Sequence, residues 1–487
     1  MPHADSAGVP ILPGCHPDPT IERVGDDFYL ATSTFEYFPG IPVFHSRDLR
    51  DWTPLGHAVD RPGQLDLTGV PSSGGLFAPT LRHHRGRWFL VCTLVHGSGR
   101  DGDFVLTADD PAGPWSDPVW LDAPGIDPSL FFDDDGRAWF TGTELVERDW
   151  PGQTVVWMRE FDPVGLRLVG PRHDLWHGAL TGAVWAEGPH IHRRGDWYYL
   201  LASEGGTEYF HALSVARSRA VTGPYEGHRG NPVLTHRNLG RGYPIQNVGH
   251  ADLVRHGDDD WAAVLLATRP RGGADPLGRE AFLVDVDWED DWPVFLPGRG
   301  RLDAMPTPGT GPGFPSPGEW TQVRTAVTGF WQADAAAGTL RIAPTGTGLG
   351  GPGTPAFVGI RQRHHGFTLR GDLPPGAGIA ARLRDDVLLV AERSEDRLVV
   401  MMTDGGPARE LARVVLGPEV TGVSLGSDAE TFSITVDGRE GPLAAVPAGL
   451  LSPARAGGFV GVWVGFTAHG DEPVTVRGIA YTGHPGG

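Results

Sequence analysis

Three acidic residues, Asp18, Asp127 and Glu187, sit in closely similar surroundings. These are Pro17-Asp18-Pro19-Thr20, Ile126-Asp127-Pro128-Ser129 and Glu187-Gly188-Pro189-His190. Carboxyl groups gathered from such distant stretches can act on a bond held between them. One, as a carboxylic acid, protonates a leaving oxygen; another, as a carboxylate, deprotonates water or attacks directly, depending on the gap between them. A third nearby disfavours ionisation of its neighbour and raises that neighbour's pKa. A general acid needs this help, because free Glu is mostly ionised near neutral pH. The chemistry such a set supports is hydrolysis of a glycosidic bond. A non-catalytic sugar-binding protein is the competing reading, and a lectin has no need of three mutually repelling carboxylates.

Something must bring these residues together. Five stretches share one pattern, a turn followed by an aromatic and an apolar run, with the aromatics at Phe28, Trp88, Trp139, Trp197 and Trp261. The aromatics lie 60, 51, 58 and 64 residues apart. A degenerate repeat of this length, made of short strand-type runs and turns, predicts one four-stranded blade per repeat and a five-bladed β-propeller. The first strand of each blade would lie beside the central axis, so residues at one repeat position would converge on one cavity.

The 487 residues exceed one ordinary core and suffice for two domains. Residues 1–304 read as the propeller. Residues 305–318 are rich in Pro and Gly and read as a stiff linker. Residues 319–487 alternate again, as in Phe367-Thr368-Leu369-Arg370 and Phe432-Ser433-Ile434-Thr435-Val436, and predict an antiparallel β-sandwich. The whole chain is therefore expected to be all-β.

The composition, 40% hydrophobic and 21% charged, describes a soluble globular protein. A net charge of −20 argues against nucleic acid or an anionic membrane surface as partner. All 40 basic residues are arginine, a coding bias rather than a functional sign. Two cysteines, Cys15 and Cys92, cannot build a disulfide framework or a cysteine-based zinc site. Met1-Pro2-His3-Ala4-Asp5 carries no basic segment leading into an apolar run, and no window is long enough to span a membrane. A cytoplasmic enzyme is the simplest expectation.

Leu12-Pro13-Gly14-Cys15-His16-Pro17-Asp18-Pro19, followed by Ala31-Thr32-Ser33-Thr34-Phe35-Glu36-Tyr37-Phe38-Pro39-Gly40, resembles the N-terminus of family 43 glycoside hydrolases, most of all the β-xylosidases. Gly125-Ile126-Asp127-Pro128-Ser129, Ala186-Glu187-Gly188-Pro189-His190, Asn247-Val248-Gly249-His250-Ala251-Asp252 and Leu277-Gly278-Arg279-Glu280 are similar to the family's motifs in order and spacing. The resemblance implies an inverting, exo-acting enzyme that needs no cofactor for its chemistry. Asp18 matches the general base, Glu187 the general acid, and Asp127 the carboxylate that orients and tunes the acid. Inversion leaves room for water, with base and acid about 6.5–9.5 Å apart.

Arg279 matches an arginine that hydrogen-bonds the terminal sugar, and Phe35 an aromatic wall. His250 matches a histidine of the pocket floor that in relatives can bind a calcium ion near the axis. The resemblance extends to a concanavalin-like jelly roll for the sandwich, whose Phe459, with Trp463 second, would close the pocket. Phe77 and Thr80 stand where many relatives have Trp and Asp, which puts sugar specificity in question. The expected substrate is a short β-1,4-xylo-oligosaccharide, with α-L-arabinofuranosides the close alternative and a retaining fructan-type hydrolase a third. A homo-oligomer, dimer or tetramer, is the assembly expected.

Overall fold

The structure is a computed structural model that describes residues 8–97, 99–417 and 419–486. The N-terminal pentapeptide considered above lies outside the described residues. The chain is all-β. Among the described residues the α-helix is confined to the single turn Pro453–Ala456.

Five four-stranded antiparallel sheets follow one another as blades, ending in the strand Trp292–Phe295. Their innermost strands are Thr20–Val24, Gly75–His84, Ile126–Phe132, Glu187–Arg194 and Gln246–Arg255. The period-2 alternation of the second strand of each blade explains how the blades cohere. In blade 2, Trp88, Leu90 and Cys92 join the apolar core shared with blade 1, whereas Phe89 and Val91 join the core shared with blade 3. Equivalent cores join blades 3 and 4, 4 and 5, and 5 and 1. Sheets buried on both faces read as continuous apolar runs such as Trp88-Phe89-Leu90-Val91-Cys92. The ring closes without a shared strand: Ile11 and Leu12 on the N-terminal side bond to Ala281 of blade 5.

The pairing registers refine the repeat. Arg23 pairs with Phe28, His83 with Trp88 and Arg255 with Trp261, but the equivalent partners in blades 3 and 4 are Ala138 and Tyr198. Trp139 and Trp197 therefore sit one residue off the repeat. They face the following blade, whereas Phe28, Trp88 and Trp261 face the preceding one.

The sandwich is two eight-stranded sheets. One sheet packs on both sides, which explains its unbroken apolar strand Val387–Ser394. Val387, Leu389 and Ala391 enter the sandwich core, while Leu388 and Val390 face the propeller. The domains share more than a surface: Tyr37–Phe38 from blade 1 adds to this sheet as an edge strand beside Thr321–Val323. The segment 305–318 is less free than its composition suggests. Thr310–Gly313 pairs with Val474–Gly483, because its backbone finds an open sheet edge there.

Buried charge crosses the seam. The fully buried Arg382 donates to Glu36 Oε1 (3.3 Å), Tyr37 Oη (2.7 Å) and Asp385 Oδ1 (2.8 Å). Trp463 stacks on Tyr37 at 3.8 Å. Gly278 and Gly461 meet where a Cβ on Gly461 would lie 2.5 Å from the Leu277 carbonyl, so neither strand could approach with a side chain there.

Deletion of residues 319–487 is expected to give an aggregating or poorly soluble propeller, because it strips the cover from Phe35 and Tyr37, both nearly fully buried against the sandwich. Two aromatics represent on the order of 5 kcal/mol of burial, a large share of a domain's whole stability. A monodisperse propeller with cooperative thermal unfolding would contradict this.

Candidate active site

Each inner strand begins with a local distortion that aims side chains at the axis. Asp18, Ala78, Asp127, Gly188 and His250 occupy equivalent places and all have positive φ, between 38° and 60°. In blades 2 to 5 the strand pairing is interrupted by a bulge at this place. Bulges re-aim side chains, and left-handed residues outside glycine cost about 1–3 kcal/mol, so such strain persists only where the surroundings impose it. The pocket draws on two adjacent repeat positions. Asp18, Asp127 and His250 come from the left-handed residue itself; Phe77, Ile126 and Glu187 come from the residue before it. Glu187 is thus offset by one residue from the two aspartates. Gly188 takes the left-handed place in blade 4, where a Cβ would lie 3.0 Å from the His250 ring.

These groups line one axial cavity of about 430 Å³. Asp18, Phe35, Phe77, Asp127, Glu187, His250, Arg279 and Phe459, all named from the sequence, line it. Asp18 is nearly fully buried and fully engaged. Ser33 Oγ donates to its Oδ2 (2.6 Å), Arg279 Nη1 to its Oδ1 (3.1 Å), and His250 Nδ1 lies 3.6 Å from Oδ1. Ser33 Oγ in turn accepts from the Ala78 N–H (2.7 Å), which fixes its hydroxyl. Arg279 also donates to Thr207 Oγ1 (3.0 Å) and to the Phe459 carbonyl (3.1 Å). Asp127 Oδ2 accepts from the Gly188 N–H (3.0 Å).

Phe35, Phe77 and Phe459 form the apolar wall, with ring centroids 4.9–6.2 Å apart. Phe459 is the pocket aromatic of the sandwich: it is 39% exposed, whereas Trp463 is fully buried in the seam. Thr80 does not line the cavity. It lies one layer deeper, donating to the Pro128 carbonyl (2.8 Å), so the exchange at this position does not touch the pocket wall directly.

The electrostatics separate the three carboxyls. Burial alone would raise Asp18, but Arg279, His250 and Ser33 outweigh it and hold Asp18 below the usual carboxylate range. Burial, then the charges of Asp127 and Asp18, push Glu187 well above its ordinary value. Burial and the charge of Asp18 raise Asp127 to about 6, against the pull of His250 and Gly188. The pocket therefore sets a carboxyl held toward the ionised form at Asp18 against one pushed toward the protonated form at Glu187. Removing the Asp127 charge lowers Glu187, so Asp127→Asn is expected to move the alkaline limb of a pH–rate profile downward. An unmoved limb would remove Asp127 from this tuning role.

The axis below the pocket does not suit a calcium ion. Calcium takes six to eight oxygen ligands. Asp252, the carboxylate next to the axis, is already saturated. Arg82 binds it through both Nη atoms (2.9 and 3.1 Å), joined by Thr20 Oγ1 (2.9 Å), the Ile21 N–H (3.0 Å) and His192 Nε2 (3.1 Å). A guanidinium already supplies the positive charge there. No group of three or more His, Cys, Asp or Glu side chains able to hold a metal occurs among the described residues, and no metal site is evident around His250.

Sequence reasoning did not single out Ser33, Thr207, Glu208, His211 or Trp185. Ser33 was visible only as part of a motif. Thr207 and Glu208 lie in the loop after Trp197–Glu204, where no periodicity marks a pocket residue. His211 Nδ1 lies 2.8 Å from the Asn247 carbonyl and must donate there, leaving Nε2 as an acceptor.

An axial pocket of sugar size, with two carboxyls shifted to opposite sides of their ordinary range and an aromatic wall, defines a glycoside hydrolase built on a propeller. The chain belongs to glycosyl hydrolases family 43, whose model matches residues 7–293. The beta xylosidase C-terminal concanavalin A-like domain matches residues 316–477. A xylosidase/arabinosidase from Butyrivibrio fibrisolvens is 43% identical over 74% of this chain and 73% of its own length. A non-reducing end α-L-arabinofuranosidase from Bacteroides ovatus is 35% identical over 95% of this chain and 91% of its own. The crystal structure of a xylan β-1,4-xylosidase from Bacillus halodurans superposes with a TM-score of 0.83 at 30% identity, covering 98% of this chain and 99% of that one.

Proposed function

We propose that the chain is an inverting, exo-acting β-xylosidase that releases xylose from the non-reducing end of short β-1,4-xylo-oligosaccharides. The carrying observation is that one pocket pushes two carboxyls apart: Arg279 pulls Asp18 below the usual carboxylate range, and burial and Asp127 push Glu187 well above it. In this reading Glu187 protonates the departing glycosidic oxygen. Asp18 takes a proton from the water that attacks the anomeric carbon from the opposite face. Arg279 orients the terminal sugar through its hydroxyls, and Asp127 keeps Glu187 protonated until the bond breaks. Phe459 narrows the pocket to one terminal residue, which favours exo-cleavage of short chains.

An α-L-arabinofuranosidase, or an enzyme with both activities, is the second reading. It is supported by the names of the relatives from Butyrivibrio fibrisolvens and Bacteroides ovatus. Aryl β-D-xylopyranoside and aryl α-L-arabinofuranoside, compared side by side, decide between them: the higher kcat/KM is expected on the xyloside. Proton NMR of the first sugar released from the xyloside is expected to show the α-anomer. Release of the β-anomer would exclude inversion.

A further inference from the structure

Of the 16 tryptophans in the chain, Trp185 is the exposed one: its accessibility is 37%, and every other tryptophan is buried or half-buried. Exposure of a single apolar side chain says little by itself. Its place and its backbone say more. Trp185 lines the catalytic pocket, two residues before Glu187. Its φ is 54°, in the left-handed region, which a bulky residue rarely occupies unless its surroundings impose it.

The surroundings do impose it. The Ala183 carbonyl accepts from Trp150 Nε1 (2.7 Å), the Val184 carbonyl from the Gly205 N–H (2.8 Å), and the Ala186 carbonyl from Thr154 Oγ1 (2.8 Å). The Trp185 N–H donates to the Gly152 carbonyl (2.8 Å). Blades 3 and 4 thus grip residues 183–186 and hold one indole at the pocket. Gly205 and Gly206 line the pocket beside it and carry no side chain to cover the ring; a Cβ on Gly206 would lie 3.7 Å from the indole's Cδ1.

This indole is separate from the wall that receives the terminal sugar. Phe35, Phe77 and Phe459 are in ring contact with one another, and Trp185 with none of them among the described residues. Phe35 and Phe459 stand by Arg279, whose guanidinium lies 5.5 and 5.7 Å from their ring centroids. Trp185 stands on the segment that leads into Glu187. The oxygen that Glu187 protonates belongs to the leaving group, so that group extends from the terminal sugar past Glu187.

We propose that Trp185 is the platform for the leaving group: the departing sugar stacks a C–H face on the indole, which sets a preference for leaving groups that contain a pyranose ring. The proposal rests on the reading of Glu187 as the acid of a glycosidase. Because residues 183–186 are already fixed, little ordering is lost when a sugar arrives.

The test compares two substrates with the same terminal xylosyl unit. Xylobiose has a sugar ring as leaving group, and methyl β-D-xylopyranoside has none. Both release a poor leaving alcohol, so both depend on Glu187. Trp185→Ala is expected to lower kcat/KM on xylobiose by about tenfold and on the methyl glycoside by no more than about twofold, which also shows that the variant folds. Trp185→Phe should recover most of the loss on xylobiose. Equal losses on both substrates would mean that Trp185 acts only by placing Glu187, and would overturn the proposal, as would an unchanged rate on xylobiose. Size-exclusion chromatography runs alongside: an altered oligomeric state in Trp185→Ala would assign the indole to an interface between copies and overturn the platform. Failure of the functional reading looks different. A wild type that prefers α-L-arabinofuranosides corrects the terminal sugar, and Trp185 is then judged on methyl α-L-arabinofuranoside against an arabinofuranosyl-xylose disaccharide. A wild type that cleaves neither class sinks both readings before any variant is compared.

Discussion

Asp18→Ala should reduce turnover by about 10³–10⁴-fold on every glycoside, whatever its leaving group. Water must be activated in each case, and a good leaving group does not remove that need. The substitution also leaves the Arg279 guanidinium without its carboxylate partner in a nearly closed site. Asp18→Asn keeps the side chain's shape and is the cleaner comparison. Both variants should fold, which circular dichroism and thermal unfolding would establish. Near-wild-type turnover in either folded variant would exclude Asp18 as the base.

Glu187→Gln should divide substrates by leaving group. Alkyl xylosides and xylobiose should lose about 10²–10⁴-fold in kcat, because their poor leaving oxygens depend on protonation. Aryl xylosides with acidic phenols should lose much less. The variant should also lose the alkaline limb of its pH–rate profile, since the group that burial and Asp127 keep protonated is gone. Equal losses on alkyl and aryl substrates, or a retained alkaline limb, would assign the acid elsewhere.

Much of this was legible because the repeat has a physical cause. Each blade needs a short apolar strand after a turn, so Phe28, Trp88 and Trp261 mark equivalent places. Trp139 and Trp197 looked equivalent and are not. An aromatic satisfies the core on either face of a doubly buried strand, so side-chain type alone leaves the register ambiguous by one residue. The same offset separates Glu187 from Asp18 and Asp127. It became visible only through the left-handed residues, whose φ a sequence does not display.

The axial plug was hidden for another reason. Arg82 and Asp252 are 170 residues apart and meet only when the ring is assembled. A guanidinium so placed makes a calcium site physically unattractive there, against what the family resemblance allowed. Phe459 was recognisable from its two preceding glycines.

The ring's closing contact has a consequence for the newly made chain. Asp18 stands on the first blade to leave the ribosome, and Arg279 on the last, 261 residues later. Until blade 5 docks on the segment around Leu12, Asp18 lacks the Arg279 hydrogen bond that orients its carboxylate. A nascent propeller stalled after four blades therefore carries all three carboxyls but lacks Arg279 and His250, the two groups that blade 5 sets against Asp18. Competence is gained in one event, when the two ends of the propeller meet. A chain whose ends were moved to the junction between blades 2 and 3 would make Arg279 before Asp18, with the sandwich between them, and would close its ring at a different seam.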